Sequence, residues 1–275
     1  MGLRIQTNIA SLNAQRNLRT NGAGLEKSQE RLSSGYRINK SMDDVAGLAI
    51  SEQMRGQIRG LSQAERNAQD GISFVQVAEG GLSETSNILV RMRELATQAA
   101  SDTLGDTERG FVNVEVQQLR AELDRISATT EYSGTKLLDG SASTLDFQVG
   151  IKGGEDNRIS FDAGKANASA SSLGVGGVAV DSKSSAQDML DTVDSAISKV
   201  AEMRSGFGAI QSRMGSTISN LSVYRENLSA ANSRIKDADM AEESANMAKT
   251  AILQQAGVAT LAQANQSTGL ALKLL

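Results

Sequence analysis

The stretch "QIRGLSQAERNAQDGISFVQVAEGGLSETSNILVRMRELATQAA", residues 57–100, decides the fold. Two stripes run along it in steps of three and four. One reads Ile58, Leu61, Glu65, Ala68, Ile72, Val75, Glu79, Leu82. The other reads Leu61, Ala64, Ala68, Gly71, Val75, Ala78, Leu82, Thr85, Leu89, Met92, Ala96, Ala99. Sustained three–four alternation is the pattern of a coiled-coil seam. The predicted helix is roughly 65 Å long at 1.5 Å per residue. Gly80-Gly81 is its expected weak point, at about 1 kcal/mol per glycine relative to alanine.

Working outward, "SDTLGDTE" (residues 101–108) interrupts the pattern with a glycine, capping residues and an acid-rich helix start. A second helix follows, with Val112, Val116, Leu119, Leu123 and Ile126 at four–three spacing. A short loop between two such helices makes them antiparallel neighbours. Between residues 133 and 179 the runs "KLLDG", "TLDFQVGI" and "NRISFDA" are short, partly alternating and bounded by Gly, Ser, Asp and Asn, which predicts small strands or hairpins. "GKANASASSLGVGGVAVDSKSS" reads as a loop or a short peripheral element. Helical spacing returns with Leu190, Val193, Ile197, Val200, Phe207, Met214, Ile218, Leu221, Leu228 and Ile235.

The chain ends form a separate problem. Ile5, Ile9 and Leu12 share a face, and Leu18, Leu25 and Leu32 repeat every seventh position. Near the C-terminus Ala241, Ala245, Ala248, Ile252, Gln255, Ala259, Ala262 and Gln266 keep the three–four rhythm. Beside them run Met240, Met247, Ala251, Val258, Leu261, Thr268 and Leu272. Two adjacent stripes make a broad face suited to several helices at once. Small side chains approach closely but bury little area, too little at about 25 cal/mol per Å² to order this segment alone.

Composition narrows the chemistry. Histidine and cysteine are absent, which removes the commonest general base, the commonest metal ligand and all thiolate chemistry. Proline is absent, so no helix is interrupted by its ring, and aromatics are 3%, too few for a large globular core. Together with the periodicity this predicts a mainly α fold: a long coiled-coil rod built from both chain halves, with a small β-hairpin element. The net charge of −4 argues against nucleic-acid binding. The basic residues Arg4, Arg16, Arg19, Lys27, Arg31, Arg37 and Lys40 are read as a solvated or partner-facing helix surface. No apolar run reaches 18 residues, so no membrane insertion is expected, and the N-terminus lacks the apolar region of a cleaved secretory signal.

Isolated motifs carry little. Asp237, Asp239, Glu242 and Glu243 fail the calcium-loop spacing and read as charge near a helix N-terminus. "GAGLEK" (residues 22–27) lacks the ending of a phosphate loop and reads as a helix interruption. "SSGYRINKSMDDVAG" (residues 33–47) reads as a helix stop, a connecting spoke and a capped restart. No nucleophile with its base is apparent, and no enzyme, cofactor or metal is expected.

Three stretches resemble bacterial flagellin: "IQTNIASLNAQRNL" (residues 5–18), "RLSSGYRINKSMDDVAGLAISEQMRGQIRGLSQAERNAQDGISFVQVAEGGL" (residues 31–82) and "SRIKDADMAEESANMAKTAILQQAGVATLAQANQ" (residues 233–266). The resemblance covers residues 1 to about 165 and about 185 to 275. It implies a structural subunit that polymerises into the flagellar filament for swimming, its paired terminal helices forming the filament core and folding on assembly. The domain boundaries that follow are residues 1–42 and 235–275 for the inner helical core, 43–56 for a spoke, 57–164 and 185–234 for the rod, and 165–184 for a short variable loop. Assembly is then assigned to Ile5, Ile9, Leu12, Leu18, Leu25, Leu32, Met247, Ala248, Ile252, Val258, Ala259, Leu261 and Ala262.

"LVRMRELATQAA" (residues 89–100) resembles the flagellin segment recognised by the vertebrate innate flagellin receptor, and the matching positions are Arg91, Leu95 and Glu115. The same patch is expected to contact a neighbouring protofilament. Other partners implied are a flagellar export chaperone at the C-terminal segment and hook-associated junction and cap proteins. Location is extracellular, after type III export without a cleaved signal. The alternatives are a flagellin-like hook–filament junction protein and, from another class, a soluble helical binding module or adhesin.

Overall fold

With no proline to stop them, the helices run long. The computed structural model describes residues 7–141 and 143–273, with side chains as far as Gln266. Its elements are α1 (Ile9–Ser34), α2 (Val45–Ala99), α3 (Asp106–Thr129), β1 (Glu131–Tyr132), β2 (Thr135–Lys136), β3 (Thr144–Gln148), β4 (Arg158–Asp162), α4 (Ala170–Leu173), α5 (Lys183–Lys236) and α6 (Met240–Lys273). The chain divides into two units: Met1–Gly56 with Glu226–Leu275, and Gln57–Arg225. None of the described helices is long and apolar enough to cross a membrane.

The Gln57–Arg225 unit has a continuous core. Every member of the second stripe of α2, from Leu61 to Ala99, is buried. The residues found in the first stripe alone, Ile58, Glu65, Ile72 and Glu79, are half-buried at the seam's edge, where Glu65 and Glu79 reach Arg225 at 3.0 Å and Arg204 at 3.6 Å on α5. Arg93 and Asp194 pair at 2.6 Å. Partners on α5 descend as those on α2 ascend, so the two helices are antiparallel. From α5 Ala186, Met189, Val193, Ala196, Val200, Phe207 and Met214 are buried at heptad spacing, and α3 adds Val116, Leu123 and Ile126.

Gly80-Gly81, the expected weak point, lies in unbroken helix. A Cβ at Gly81 would stand 2.7 Å from Leu138 Cδ1 and 2.8 Å from Thr130 Oγ1. The glycine therefore admits the chain that follows α3, and packing offsets its low helix propensity. Strands β1 and β2 form a minimal hairpin turned by Ser133 and Gly134, both at positive φ. Strands β3 and β4 pair antiparallel, with Leu145 opposite Phe161 and Phe147 opposite Ile159. They bring aromatic rings onto the helices: Phe74 meets Tyr132, Phe147 and Phe161 edge-on, and Phe161 leans on Phe207 at 4.8 Å.

The Gly/Ser/Ala-rich stretch after β4 packs closely. Ala166, Ala168, Ala170, Leu173, Val175 and Val180 are buried. One face of α3 clamps it through polar contacts: Asn113 Nδ2 donates to Asp181 Oδ1 at 2.7 Å, Gln117 Nε2 to Val178 O at 3.0 Å and Arg120 Nη1 to Gly176 O at 2.7 Å. Asp124 Oδ1 accepts from Ala170 N at 2.9 Å.

Arg109 closes the α2–α3 turn. Its buried guanidinium donates to Ala99 O and Ser101 O, both at 2.9 Å, and pairs with Asp106 at 3.0 Å. The Ala99 carbonyl ends α2 without an intrahelical partner, and the Ser101 carbonyl, in the turn beyond, also accepts from Leu104 N at 3.5 Å. Arg109→Met is expected to lower stability by about 2 kcal/mol, because it strands the buried Ala99 acceptor. Urea denaturation followed by circular dichroism measures this, and an unchanged midpoint would remove Arg109 from the capping role.

Candidate assembly interface

In the unit built from the chain ends, α1 and α6 pair antiparallel. Asn8 Nδ2 donates to Ala264 O at 2.9 Å near one end, and Arg31 pairs with Glu243 at 3.3 Å near the other. The seam is itself a heptad. Ser11, Ala14, Leu18, Asn21, Leu25, Ser28 and Leu32 on α1 are buried or half-buried. So are Glu243, Met247, Thr250, Gln254, Gly257, Leu261 and Ala264 on α6. A Cβ at Gly257 would stand 2.8 Å from Leu18 Cδ2, so this glycine makes room for the largest α1 side chain at that level. Helix α1 is continuous through Gly22–Lys27, contrary to the interruption read from "GAGLEK". Gly24 faces Thr250, whose Cγ2 lies 3.5 Å from a Cβ placed there, so it serves close approach and not a break.

Few of the residues assigned to assembly meet within the chain. Leu18, Leu25, Leu32, Met247 and Leu261 line the seam, half-buried. Ile9, Leu12, Ala248, Ile252, Val258, Ala259 and Ala262 are exposed, with Ile252 at 65% and Val258 at 58%. Ile5 lies outside the described residues, as do the side chains of Thr268 and Leu272. Among the described residues of this unit, the one large hydrophobic side chain that is fully buried is Ile38. The sequence stripes located a broad apolar face. The structure gives α1 the narrow side of it and leaves the rest open.

The ends of α1 and α6 are tied at the spoke. Gly35 caps α1 in the left-handed conformation. Arg37 N donates to Lys236 O at 2.7 Å, Ala238 N to Gly35 O at 2.9 Å, and Lys236 Nζ lies 5.1 Å from the Tyr36 ring. Asp239 Oδ1 caps α6 by accepting from Ala241 N at 2.8 Å and Glu242 N at 3.2 Å. Asp43 accepts from Asn39 N and Lys40 N and pairs with Lys27 at 2.7 Å. Lys27 first, and then the Lys40 amide, pull its carboxyl down to about 2. Glu243, read from sequence as surface charge, is buried against Arg31. No spacing rule could pair residues so far apart in the chain.

In the other unit Arg91 and Glu115 meet at 2.9 Å on the surface, and Arg91 also holds Glu94 at 2.9 Å. These contacts raise the Arg91 pKa, the Glu94 contact most. Leu95 is not with them: it is 2% exposed and lies in the core. The apolar residues exposed nearby are Val90, Phe111 and Val114, the last two on the α3 face that carries Glu115. Phe111 lies off the Val112–Val116–Leu119 stripe of α3, and spacing alone does not say whether a ring there is covered.

Two long antiparallel helix pairings, one with a filled core and one with an open apolar face, define a self-assembling helical subunit. Residues 5–143 match the bacterial flagellin N-terminal helical region and residues 190–275 match the bacterial flagellin C-terminal helical region. A flagellin of Halalkalibacterium halodurans is 46% identical over 271 residues, which is 98% of this chain and 99% of that one. A flagellin of Bacillus subtilis is 42% identical over 303 residues, 99% of this chain and 100% of that one. The crystal structure of Bacillus cereus flagellin superposes with a TM-score of 0.50 at 29% identity, covering 57% of this chain and 88% of that one. The chain belongs to the bacterial flagellin family. It is a structural subunit for filament assembly, and its polymer partner is itself.

The spoke gives a pH test. Asp43 has a folded pKa below its unfolded value of about 3.9. Its contribution is complete above about pH 4 and is lost as pH falls through about 2. Filaments of Asp43→Asn are expected to be less stable than unsubstituted ones near pH 5, and the difference should close toward pH 2. The sedimentable fraction across that range measures it; a constant difference would separate Asp43 ionisation from filament stability.

Proposed function

We propose that the two terminal helices acquire their fold from neighbouring copies in the filament. The observation that carries this reading is the contrast between the units: one holds a continuous core, the other buries a single large hydrophobic side chain among its described residues. A helix pair that exposes Ile9, Leu12, Ile252 and Val258 gains too little from its own seam to offset the ordering of so many residues. Burial against several neighbours supplies the difference, so folding and polymerisation become one event.

The same reading fits export through the flagellar type III apparatus as an unfolded chain, since the tails do not collapse on the way. The open α6 face suits an export chaperone that covers it until assembly. Residues 1–42 and 235–275 act as the inner core, 43–56 as the spoke, and 57–164 with 185–234 as the outer unit, to which 165–184 contribute a packed segment. Hook-associated junction and cap proteins meet the filament ends outside the cell. The Arg91–Glu115 patch serves contact between protofilaments, and the vertebrate innate receptor engages it on free monomer. Full-length similarity to flagellins favours the filament subunit over a junction protein or a soluble binding module.

Deleting residues 236–275 is expected to abolish polymerisation while leaving a helical unit with a cooperative melt. Global loss of helicity would overturn the division into a stable unit and conditional tails. In dilute monomer, amide exchange should be fast across α1 and α6 and slow across the α2 stretch from Leu61 to Ala99, the tails becoming protected on polymerisation. For the receptor, Arg91→Ala should weaken activation by monomer; unchanged activation would sink that assignment.

A further inference from the structure

Beside the aromatic cluster, the Gln57–Arg225 unit holds a cleft of about 810 Å³, a size that suits a small organic molecule. Its floor is apolar: Phe161 of β4, Leu173 of α4 and Phe207 of α5 are buried, and Met203 beside them is half-buried. Neither the α1–α6 seam nor the Arg91–Glu115 patch uses any of these residues.

The rim is charged, and most of its charged groups are engaged. Lys199 Nζ donates to Ser172 O at 3.1 Å and to Leu173 O at 3.5 Å, which closes the end of α4. Lys165 pairs with Asp162 at 3.5 Å. Glu202 is left over. It is exposed, and among the described residues it has neither an ion-pair partner nor a side-chain hydrogen bond.

A second observation points to an occupant. Glycine inside a helix costs about 1 kcal/mol relative to alanine. At Gly71 and Gly81 a neighbour requires it, since a Cβ there would strike Met214 and Leu138. At Gly206 of α5 a Cβ would meet nothing within 4 Å. Other helical glycines also face open space, but Gly206 does so in the lining of the cleft. What its missing side chain makes room for is the cleft itself. A local rule broken without a gain inside the fold marks a functional position.

We propose that this cleft binds a small organic cation, an alkyl- or arylammonium. Its apolar body rests on Phe161, Leu173, Phe207 and Met203, and its ammonium group donates to the Glu202 carboxylate. The free rim group selects the charge. An anionic ligand would face Glu202 and would have to draw Lys199 away from the carbonyls that it caps. The floor selects the body, because a bare inorganic cation would lose water there and gain no apolar contact. Binding is a property of one copy and needs no filament.

The full chain, in dilute solution and isotopically labelled in its methionine methyl groups, is titrated with phenethylammonium. The Met203 methyl resonance, assigned by its loss in Met203→Leu, should shift saturably. Phenylpropionate, of similar size and opposite charge, should bind at least about tenfold more weakly, and Glu202→Gln should weaken phenethylammonium about fivefold while leaving neutral phenylethanol unaffected. Gly206→Leu should fill the cleft and abolish the saturable shift with circular dichroism unchanged, leucine being the better helix former. No saturable shift, equal affinity for amine and carboxylate, or full affinity in Glu202→Gln would each overturn the proposal. So would loss of polymerisation in Gly206→Leu when the unsubstituted chain binds no amine, a result that gives the cleft to a neighbouring copy.

Discussion

The pairing of α1 with α6 is the constraint from which the rest follows. Its seam offers Leu18, Leu25 and Leu32 on one side and Met247 and Leu261 on the other, and the remaining levels are Ser, Ala, Asn, Thr, Gln and Gly. Leu18 fits because Gly257 leaves a gap for it. Such a seam permits close helix approach and excludes little water, so it specifies a partner better than it holds one. A chain built this way has terminal helices whose shape depends on what lies against their open faces.

The Gln57–Arg225 unit shows the opposite economy. Its stripe on α2 is buried without exception from Leu61 to Ala99, and α5 answers with Met189, Val193, Val200, Phe207 and Met214. The scarce aromatics are concentrated where strands β3 and β4 cross the helices, the one place a coiled-coil seam cannot fill. Ion pairs lie along the flanks, half-exposed, where water and salt screen them and they serve mainly register. Stability in this unit is thus carried by apolar contacts.

Legibility in the sequence follows the same division. The α2 seam was readable residue by residue, because a long helix with one buried face imposes its period directly. The interior glycines misled: Gly81 and Gly24 sit in unbroken helix, since each meets a neighbour that sequence cannot place. Leu95 was assigned to a surface patch and belongs to the core, and the exposed ring was Phe111. Periodicity names a face but not what covers it. The open stripe of α6 and the buried stripe of α2 look alike on paper, and only the partner distinguishes them.

That ambiguity bears on the Arg31–Glu243 pair. Buried ion pairs add little net stability, because desolvation offsets much of their attraction. Yet this pair sits in the seam least able to fix its own register. Sliding α6 by one heptad along α1 would leave the Leu and small-residue pattern nearly unchanged. It would also separate Arg31 from Glu243, Asn8 from the Ala264 carbonyl, and Leu18 from the gap at Gly257. Each of these contacts is weak, but they are satisfied together at one register. A pairing that is loose in energy and strict in register suits helices that must order late, against neighbours, and still arrive in a single arrangement.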